Sequence, residues 1–152
     1  MFVTLLAAAL TLAPVLGAAP WANASGPPPT AGRVTVVDIF AFSCINCMHV
    51  TPELKKLRAR YDANDVAIIG VHAPELPYEK VHANLLQALT DQHITWPVVY
   101  DDDFRIWRAY GVSAWPTQFV FDRKGVLRAT YVGEGYDDEI DRLVGRLAAA
   151  AP

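Results

Sequence analysis

The stretch VVDIFAFSCINC, residues 36–47, decides the fold of this chain. Its first part, residues 36–40, is rich in β-branched and aromatic residues without alternation, which is typical of a central strand buried on both faces. Its second part ends in Cys44 and Cys47, the only two cysteines among the 152 residues. Apolar side chains then recur at helical spacing up to Tyr61. The cysteine pair therefore lies at a strand-to-helix junction, where Cys-x-x-Cys is typical of a redox motif.

The position of the pair at a helix start predicts its chemistry. Unpaired backbone N–H groups and the positive end of the helix dipole favour an anion there, so they stabilise a thiolate at Cys44. Cys47 follows one turn later on the same face and can close a disulfide with Cys44. A disulfide across so short a loop would add little stability. The spacing therefore favours a reactive pair, with a structural disulfide as the alternative.

Length and charge limit the possible classes of protein. A chain of 152 residues is long enough for one domain, and 53% hydrophobic residues can form a packed core. The formal net charge is −3 and no basic run occurs. These values do not favour a nucleic-acid-binding surface, and no nucleic-acid partner is expected.

The first 24 residues carry no charged side chain, and residues 2–13 are almost all apolar. Ala22-Asn23-Ala24 has the small-x-small pattern of a cleavage site. We therefore interpret residues 1–24 as a secretory signal peptide, with an uncleaved N-terminal anchor as the alternative. Residues 25–32 form a Pro/Gly-rich linker that is expected to separate this segment from a domain at residues 33–149. The expected location is exported, either periplasmic or otherwise extracytoplasmic.

Hydrophobic periodicity predicts the order β-α-β-α-β-α-β-β-α for the domain. After the helix that carries the cysteines, a buried strand is expected at 66–71, a helix at 78–93, and a hairpin that joins strands 117–121 and 126–132. A final amphipathic helix is expected at 137–149. This order is typical of an α/β fold with a parallel part and a terminal hairpin.

Four features occur in an order that one known family shares. Asp38 stands six residues before Cys44, the Cys-x-x-Cys pair follows, Pro52 lies inside the next helix and is expected to kink it, and residues 110–117 read YGVSAWPT. Over residues 33–147 the chain resembles the thioredoxin superfamily. Within this superfamily it is most similar to the exported TlpA-like branch and to the thioredoxin-like domain of DipZ-type proteins.

This resemblance implies a thioredoxin-like fold, in which a central mixed sheet is flanked by helices. The helix at about 78–93 would be the inserted element of the TlpA-like branch, and a C-terminal β-hairpin plus helix would complete the domain. The resemblance also implies thiol-disulfide exchange with protein disulfides and dithiols through a redox-active disulfide, without a dissociable cofactor or a resident metal. A membrane electron donor of the DsbD or CcdA type would recharge the protein, which is expected to be a monomer.

The resemblance further implies roles for individual residues. Cys44 would attack a substrate disulfide and Cys47 would resolve the mixed disulfide. Asp38, buried in an apolar strand, would accept the proton of Cys47, with a structural Asp satisfied by backbone donors as the alternative. Pro116 would form a cis peptide bond beside the cysteines, and Trp115 would lie at the substrate surface.

Two uncharged residues, Ile45 and Asn46, separate the cysteines and are expected to contact the substrate. Strong oxidants of this kind depend on a strongly stabilised thiolate. Because neither residue adds positive charge near Cys44, the pair is expected to act as a reductant.

Two other functions stay open on this sequence. The first is a metallochaperone in which Cys44 and Cys47, alone or together with His49 or His72, hold Cu(I), because soft thiolates suit this ion. In the simpler interpretation both histidines are surface or loop residues. The second is a redox-inert interaction domain, against which the intact cysteine pair and Asp38 argue.

Overall fold

A six-stranded mixed sheet forms the centre of the protein, in a computed structural model that describes residues 9–151. The strands are β1 Trp21–Ala22, β2 Val34–Phe40, β3 Val66–His72, β4 Val98–Tyr100, β5 Thr117–Phe121 and β6 Leu127–Val132. Their order in the sheet is β1-β4-β3-β2-β5-β6. β2, β3 and β4 are parallel to one another, whereas β1, β5 and β6 pair antiparallel with their neighbours.

β2 lies in the centre of this sheet because both of its faces are apolar. All seven of its residues are buried, as are all seven of β3, and the two strands pair in parallel over their full length. Antiparallel β5 covers the other edge of β2, with Thr117 opposite Ile39. The carboxyl end of β2, from which the cysteine-bearing turn leaves, therefore meets the start of β5.

Helices cover both faces of the sheet. They are α1 Ala13–Leu16, α2 Ile45–Arg60, α3 His82–Asp91, α4 Arg105–Ala109 and α5 Asp137–Ala149, with a 3-10 helix at Pro77–Lys80. α2, α3 and α5 contribute to one apolar core cluster, and α1 and α4 contribute to the other. Burial of these apolar faces against the sheet stabilises the layers. The predicted α/β architecture, with a terminal hairpin followed by a helix, is confirmed.

The helix predicted at 78–93 consists of two shorter elements. The 3-10 helix ends at Lys80, Val81 is extended with φ −77° and ψ 109°, and α3 begins at His82. Periodicity assigned Val81 to an apolar face, but half of its surface is exposed. The break has a physical reason, because the Glu79 carboxylate accepts hydrogen bonds from the backbone N–H groups of residues 75 and 76 and so closes a tight turn ahead of α3.

The N-terminal segment packs on the domain over the residues that the structure describes. Leu12, Val15 and Ala18 are buried in the core cluster to which α4 contributes. β1 pairs with β4, and the Asn23 amide donates to the Ile94 carbonyl at 2.8 Å. The expectation that residues 25–32 separate this segment from the domain is therefore wrong for residues 9–24. An uncharged apolar run suits a buried edge as well as a leader, so composition alone does not distinguish the two.

The first eight residues of the proposed signal peptide lie outside the described part of the chain. Among residues 9–151, no helix has both the length and the apolar character that crossing a bilayer requires.

Candidate active site

The turn between β2 and α2 holds Cys44 at the start of a helix. The Cys44 N–H donates to the Ala41 carbonyl at 3.1 Å, which closes the turn. Cys44 is the N-cap of α2, and its Sγ accepts a hydrogen bond from the Cys47 N–H at 3.4 Å. The sulfur thus takes the place that a Ser or Asp oxygen usually has at a helix start. Negative charge that develops on this sulfur is stabilised by the N–H group and by the helix dipole.

The two cysteines differ in their access to solvent. Both are free thiols, but Cys44 is partly exposed whereas only 4% of the Cys47 surface is accessible. Burial is the main influence that raises the pKa of Cys47, and the hydrogen bond of its thiol with the Cys44 side chain and the charge of Asp38 raise it further. Cys47 therefore holds its proton until a base removes it, while Cys44 faces incoming molecules.

A buried acid lies within electrostatic reach of Cys47. Asp38, in the middle of β2, is 5% exposed, and burial raises its pKa from 3.8 to about 7 while the neighbouring Gln118 amide lowers it. Its Oδ1 makes no hydrogen bond to any described residue, so backbone donors do not satisfy this oxygen. A carboxyl group in this state exchanges protons near neutral pH, as a proton acceptor for a buried thiol has to do.

The segment Trp115-Pro116 directly precedes β5, the strand that pairs with β2. The peptide bond between these residues is cis, as predicted. Since Thr117 is paired with Ile39, the segment reaches the sheet edge at the carboxyl end of β2. The Trp115 Nε1 donates to the Ala73 carbonyl at 2.8 Å, and the Trp115 ring and Cys44 pack against the core cluster that includes Cys47. The Trp115 ring thus packs on the same core cluster as Cys44, whereas Pro116 is buried next to the start of β5.

The residues between the cysteines face solvent. Ile45 is 60% exposed, Asn46 is exposed, and Met48 adds a further exposed apolar side chain. Their position beside the accessible sulfur is the one that contact with a substrate requires.

The two histidines occupy different environments, and only one matches expectation. His49 is exposed, with its Nδ1 2.7 Å from Glu134 Oε2. His72 is wholly buried as the last residue of β3, stacked on Phe42 and edge-on to Phe40. Its interpretation as a surface or loop residue is wrong, because pairing of β3 on both sides continues to this position.

Burial lowers the pKa of His72 to about 4. Neither ring nitrogen makes a hydrogen bond to a described residue. Across residues 9–151 no three His, Cys, Asp or Glu side chains form a group suited to a metal ion, so neither His49 nor His72 joins the cysteine pair as a third ligand. A neutral, enclosed imidazole in this position belongs to the core.

Sequence reasoning missed two buried polar residues, Glu79 beside the turn and Gln118 beside Asp38. Glu79 is 1% exposed and accepts hydrogen bonds from Ser43, the residue before Cys44. Its position in a polar stretch that reads PYEK is typical of a solvated helix, so no local signal identifies it. Gln118, 2% exposed beside Asp38, was detectable as a polar residue within the apolar strand TQFVF.

Comparison with known proteins identifies a family and relatives that match most of this chain. The redoxin family matches residues 28–144. The chain is 37% identical over 125 residues to NHL repeat-containing protein 2 of Gallus gallus, which covers 79% of this chain and 17% of that protein. It is 32% identical over 132 residues to protein DipZ of Mycobacterium tuberculosis, which covers 84% of this chain and 19% of that protein. The chain thus spans less than a fifth of the length of these curated relatives.

Solved structures share the architecture. A thiol-disulfide isomerase from Corynebacterium glutamicum superposes with a TM-score of 0.80 at 25% identity, over 88% of this chain and 94% of that chain. Such a score over nearly all of both chains confirms the thioredoxin-like fold. From the matched family and the shared architecture together, we conclude that the chain belongs to the redoxin family of the thioredoxin superfamily, where it is similar to TlpA-like and DipZ-type domains.

Proposed function

We propose that the protein is a thiol-disulfide oxidoreductase that exchanges electrons with disulfides of client proteins. The observation that carries the proposal is the asymmetry of the pair: Cys44 is accessible at a helix start, whereas Cys47 is buried within reach of a carboxyl group of raised pKa. A structural disulfide needs neither the exposure of one sulfur nor a nearby proton acceptor.

The first step uses the accessible sulfur. The Cys44 thiolate attacks one sulfur of a client disulfide, so a mixed disulfide forms and the other client sulfur leaves as a thiolate that takes a proton from water. The N–H group and dipole at the start of α2 stabilise the attacking thiolate before the reaction.

The second step uses the buried sulfur. The Asp38 carboxylate takes the proton of Cys47, and the resulting thiolate attacks Sγ of Cys44. The Cys44–Cys47 disulfide forms, the mixed disulfide breaks, and the second client thiolate leaves and is protonated. The client disulfide has gained two electrons and two protons, and the pair of this protein has lost them.

Client recognition belongs to the surface around Cys44. We assign it to Ile45 and Asn46, which are exposed directly after Cys44, and to Trp115 and Pro116, because the Trp115 ring packs on the same core cluster as Cys44. Pro116 has no N–H group, so it cannot donate a hydrogen bond to a neighbouring strand. An extended client segment can therefore pair with the main chain next to Pro116, and such main-chain contacts tolerate many client sequences.

The direction of electron flow in this proposal is reduction of clients. Its support is the uncharged pair Ile45 and Asn46, which adds no cation near the sulfur of Cys44. A reductant must be recharged, and the proposed source is a membrane electron donor of the DsbD or CcdA type. No dissociable cofactor takes part in these steps.

Export also belongs to the proposal, supported by the uncharged apolar composition of residues 1–24. Leu12 and Val15 are buried and β1 pairs with β4, so the fold includes these residues. An exported protein with this fold therefore retains them, as an uncleaved N-terminal anchor would. The intact mass of the protein recovered from the extracytoplasmic fraction tests this statement. A mass that starts at residue 25, or protein confined to the cytoplasm, would contradict it.

Insulin reduction by dithiothreitol tests the exchange activity. The full chain is expected to accelerate precipitation of the insulin B chain, and Cys44→Ser is expected to abolish the acceleration. Cys47→Ala is expected to accumulate mixed disulfides with client proteins, because the resolving sulfur is absent. An inactive parent protein, or a Cys44→Ser protein as active as the parent, would refute the proposed function.

A further inference from the structure

A buried carboxylate beside the reactive turn has no part in the steps above. The Glu79 Oε2 accepts hydrogen bonds from the N–H groups of Glu75 at 2.6 Å and Leu76 at 2.8 Å. Its Oε1 accepts from the Ser43 N–H at 3.2 Å and from the Ser43 hydroxyl. Four donors to one side chain that is 1% exposed satisfy it as an anion.

The balance of influences on Glu79 agrees with that contact geometry. Burial is the largest influence and would raise its pKa, but the hydrogen bonds from Ser43, Leu76 and Glu75 together hold the pKa below its usual value. Glu79 therefore carries a negative charge at neutral pH, close to the turn that holds the nucleophile.

Further hydrogen bonds connect the turn before Cys44 with the segment from Tyr78 to Gln92. The Tyr78 hydroxyl donates to Ser43 Oγ at 2.5 Å, and the Gln92 amide donates to the Phe42 carbonyl at 2.9 Å. Phe42 and Ser43 are the two residues directly before Cys44. The segment from Tyr78 to Gln92 thus restrains the chain on the side of the nucleophile that α2 does not hold.

We propose that Glu79 is a positioning residue for the Cys44–Cys47 pair, whose buried carboxylate restrains the turn before Cys44 and thereby favours the disulfide over the dithiol. This inference rests on the proposed function and adds a determinant of its direction. A pair that closes its disulfide more readily is a stronger reductant of clients.

Two physical effects of Glu79 act in the same direction. When the pair closes, two thiols lose two protons and two electrons and form one S–S bond, and a client disulfide accepts them to become two thiols. A turn that is already restrained loses less conformational freedom on closure, which raises the effective concentration of one sulfur at the other. The Glu79 carboxylate accepts hydrogen bonds from Ser43, the residue before Cys44. Its negative charge therefore also repels a thiolate at Cys44 and disfavours the reduced form of the pair.

The test is the redox equilibrium of the full chain with glutathione. Glu79→Gln keeps the size of the side chain but removes its charge and one acceptor position, so we expect its equilibrium constant to shift at least about threefold towards the dithiol. Ser43→Ala keeps the charge and the other donors, and we expect a smaller shift in the same direction. Glu75→Gln is the matched control, since its side chain is an exposed carboxylate on the same loop, and no shift is expected.

The outcomes separate this inference from the proposed function. Denaturant unfolding identifies the variants that fold, and Ser43→Ala decides the question if Glu79→Gln does not. A folded Glu79→Gln or Ser43→Ala protein whose equilibrium constant equals that of the parent, or moves towards the disulfide, overturns the role of Glu79. An equal shift in Glu75→Gln also overturns it. Lack of insulin reduction by the parent protein refutes the exchange activity instead.

Discussion

Asp38 and His72 lie on the adjacent strands β2 and β3, and burial displaces their pKa values in opposite directions. The pKa of Asp38 rises from 3.8 to about 7, and that of His72 falls from 6.5 to about 4. In both cases the interior disfavours the charged form of the side chain. The charges of Glu79, Asp102 and His82 modify the pKa of His72 without reversing the effect of burial. Both groups are therefore neutral in the folded protein between these two values.

This pair predicts opposing effects of pH on stability. Between about pH 4 and 7 the folded protein holds a proton on Asp38 that the unfolded chain has released, so the free energy of unfolding falls as pH rises, by about 4 kcal/mol in all. Between about pH 4 and 6.5 the unfolded chain holds a proton on His72 that the folded protein excludes. The free energy of unfolding therefore rises with pH, by about 3 kcal/mol.

Single substitutions should separate the two contributions. Relative to the parent, Asp38→Asn is expected to become more stable as pH rises from 4 to 7, and His72→Leu is expected to become less stable as pH rises from 4 to 6.5. Urea unfolding at several pH values measures both differences. If the free energy of unfolding of each variant differs from that of the parent by a constant amount throughout this pH range, the pKa values of Asp38 and His72 are not shifted as described.

Asp38 should also control resolution of the mixed disulfide. Because the carboxylate form accepts the proton of Cys47, the rate of resolution is expected to rise with pH through about 7 and then to level off. Asp38→Asn is expected to slow this step about a hundredfold and to remove the inflection near pH 7. Quenched-flow measurement of the mixed disulfide with a model peptide gives the rate. Unchanged resolution in Asp38→Asn would exclude this role.

The N-terminal segment should contribute to stability. Removal of residues 1–24 exposes the apolar surface under Leu12 and Val15 and leaves the β4 edge unpaired. Full burial of one such side chain is worth about 1.5 to 3 kcal/mol, so the free energy of unfolding is expected to fall by at least about 3 kcal/mol. Removal of residues 1–8 alone is the control, since it keeps every contact named here. Equal stability of the two truncated proteins would contradict the packing of this segment.

The two thiols should differ in their reaction with alkylating agents. Cys44 is accessible and stands at a helix start, whereas Cys47 is buried and its pKa is raised. At neutral pH we expect iodoacetamide to react with Cys44 at least about ten times faster than with Cys47. Mass spectrometry of the Cys44→Ala and Cys47→Ala proteins gives the two rates. Comparable rates in the folded proteins would remove the asymmetry on which the proposed function depends.

Local patterns were sufficient for the central part of the site. The apolar run of β2, the pair at its carboxyl end and the helical spacing beyond it identify the junction, because these features depend on neighbours within a few residues. Asp38 was detectable as a charged residue within an apolar strand, and Pro116 through the motif that surrounds it.

Other features depend on segments that are distant in the sequence. Glu79 reaches Ser43 across 36 residues, and the Trp115 indole reaches Ala73 across 42. His72 is buried because β2 and β4 pair on either side of it and Phe42 covers its ring.

The sequence by itself determined the strand-to-helix junction, the spacing of the cysteines and the α/β order, because periodicity and turn chemistry act over short distances. Only the tertiary structure decided that residues 9–24 add an edge strand, that the helix expected at 78–93 breaks at Val81, and that Glu79 holds the turn before Cys44. Burial and hydrogen-bond partners follow from which surfaces meet in three dimensions, and an apolar run or a lone glutamate does not specify the surface it will meet.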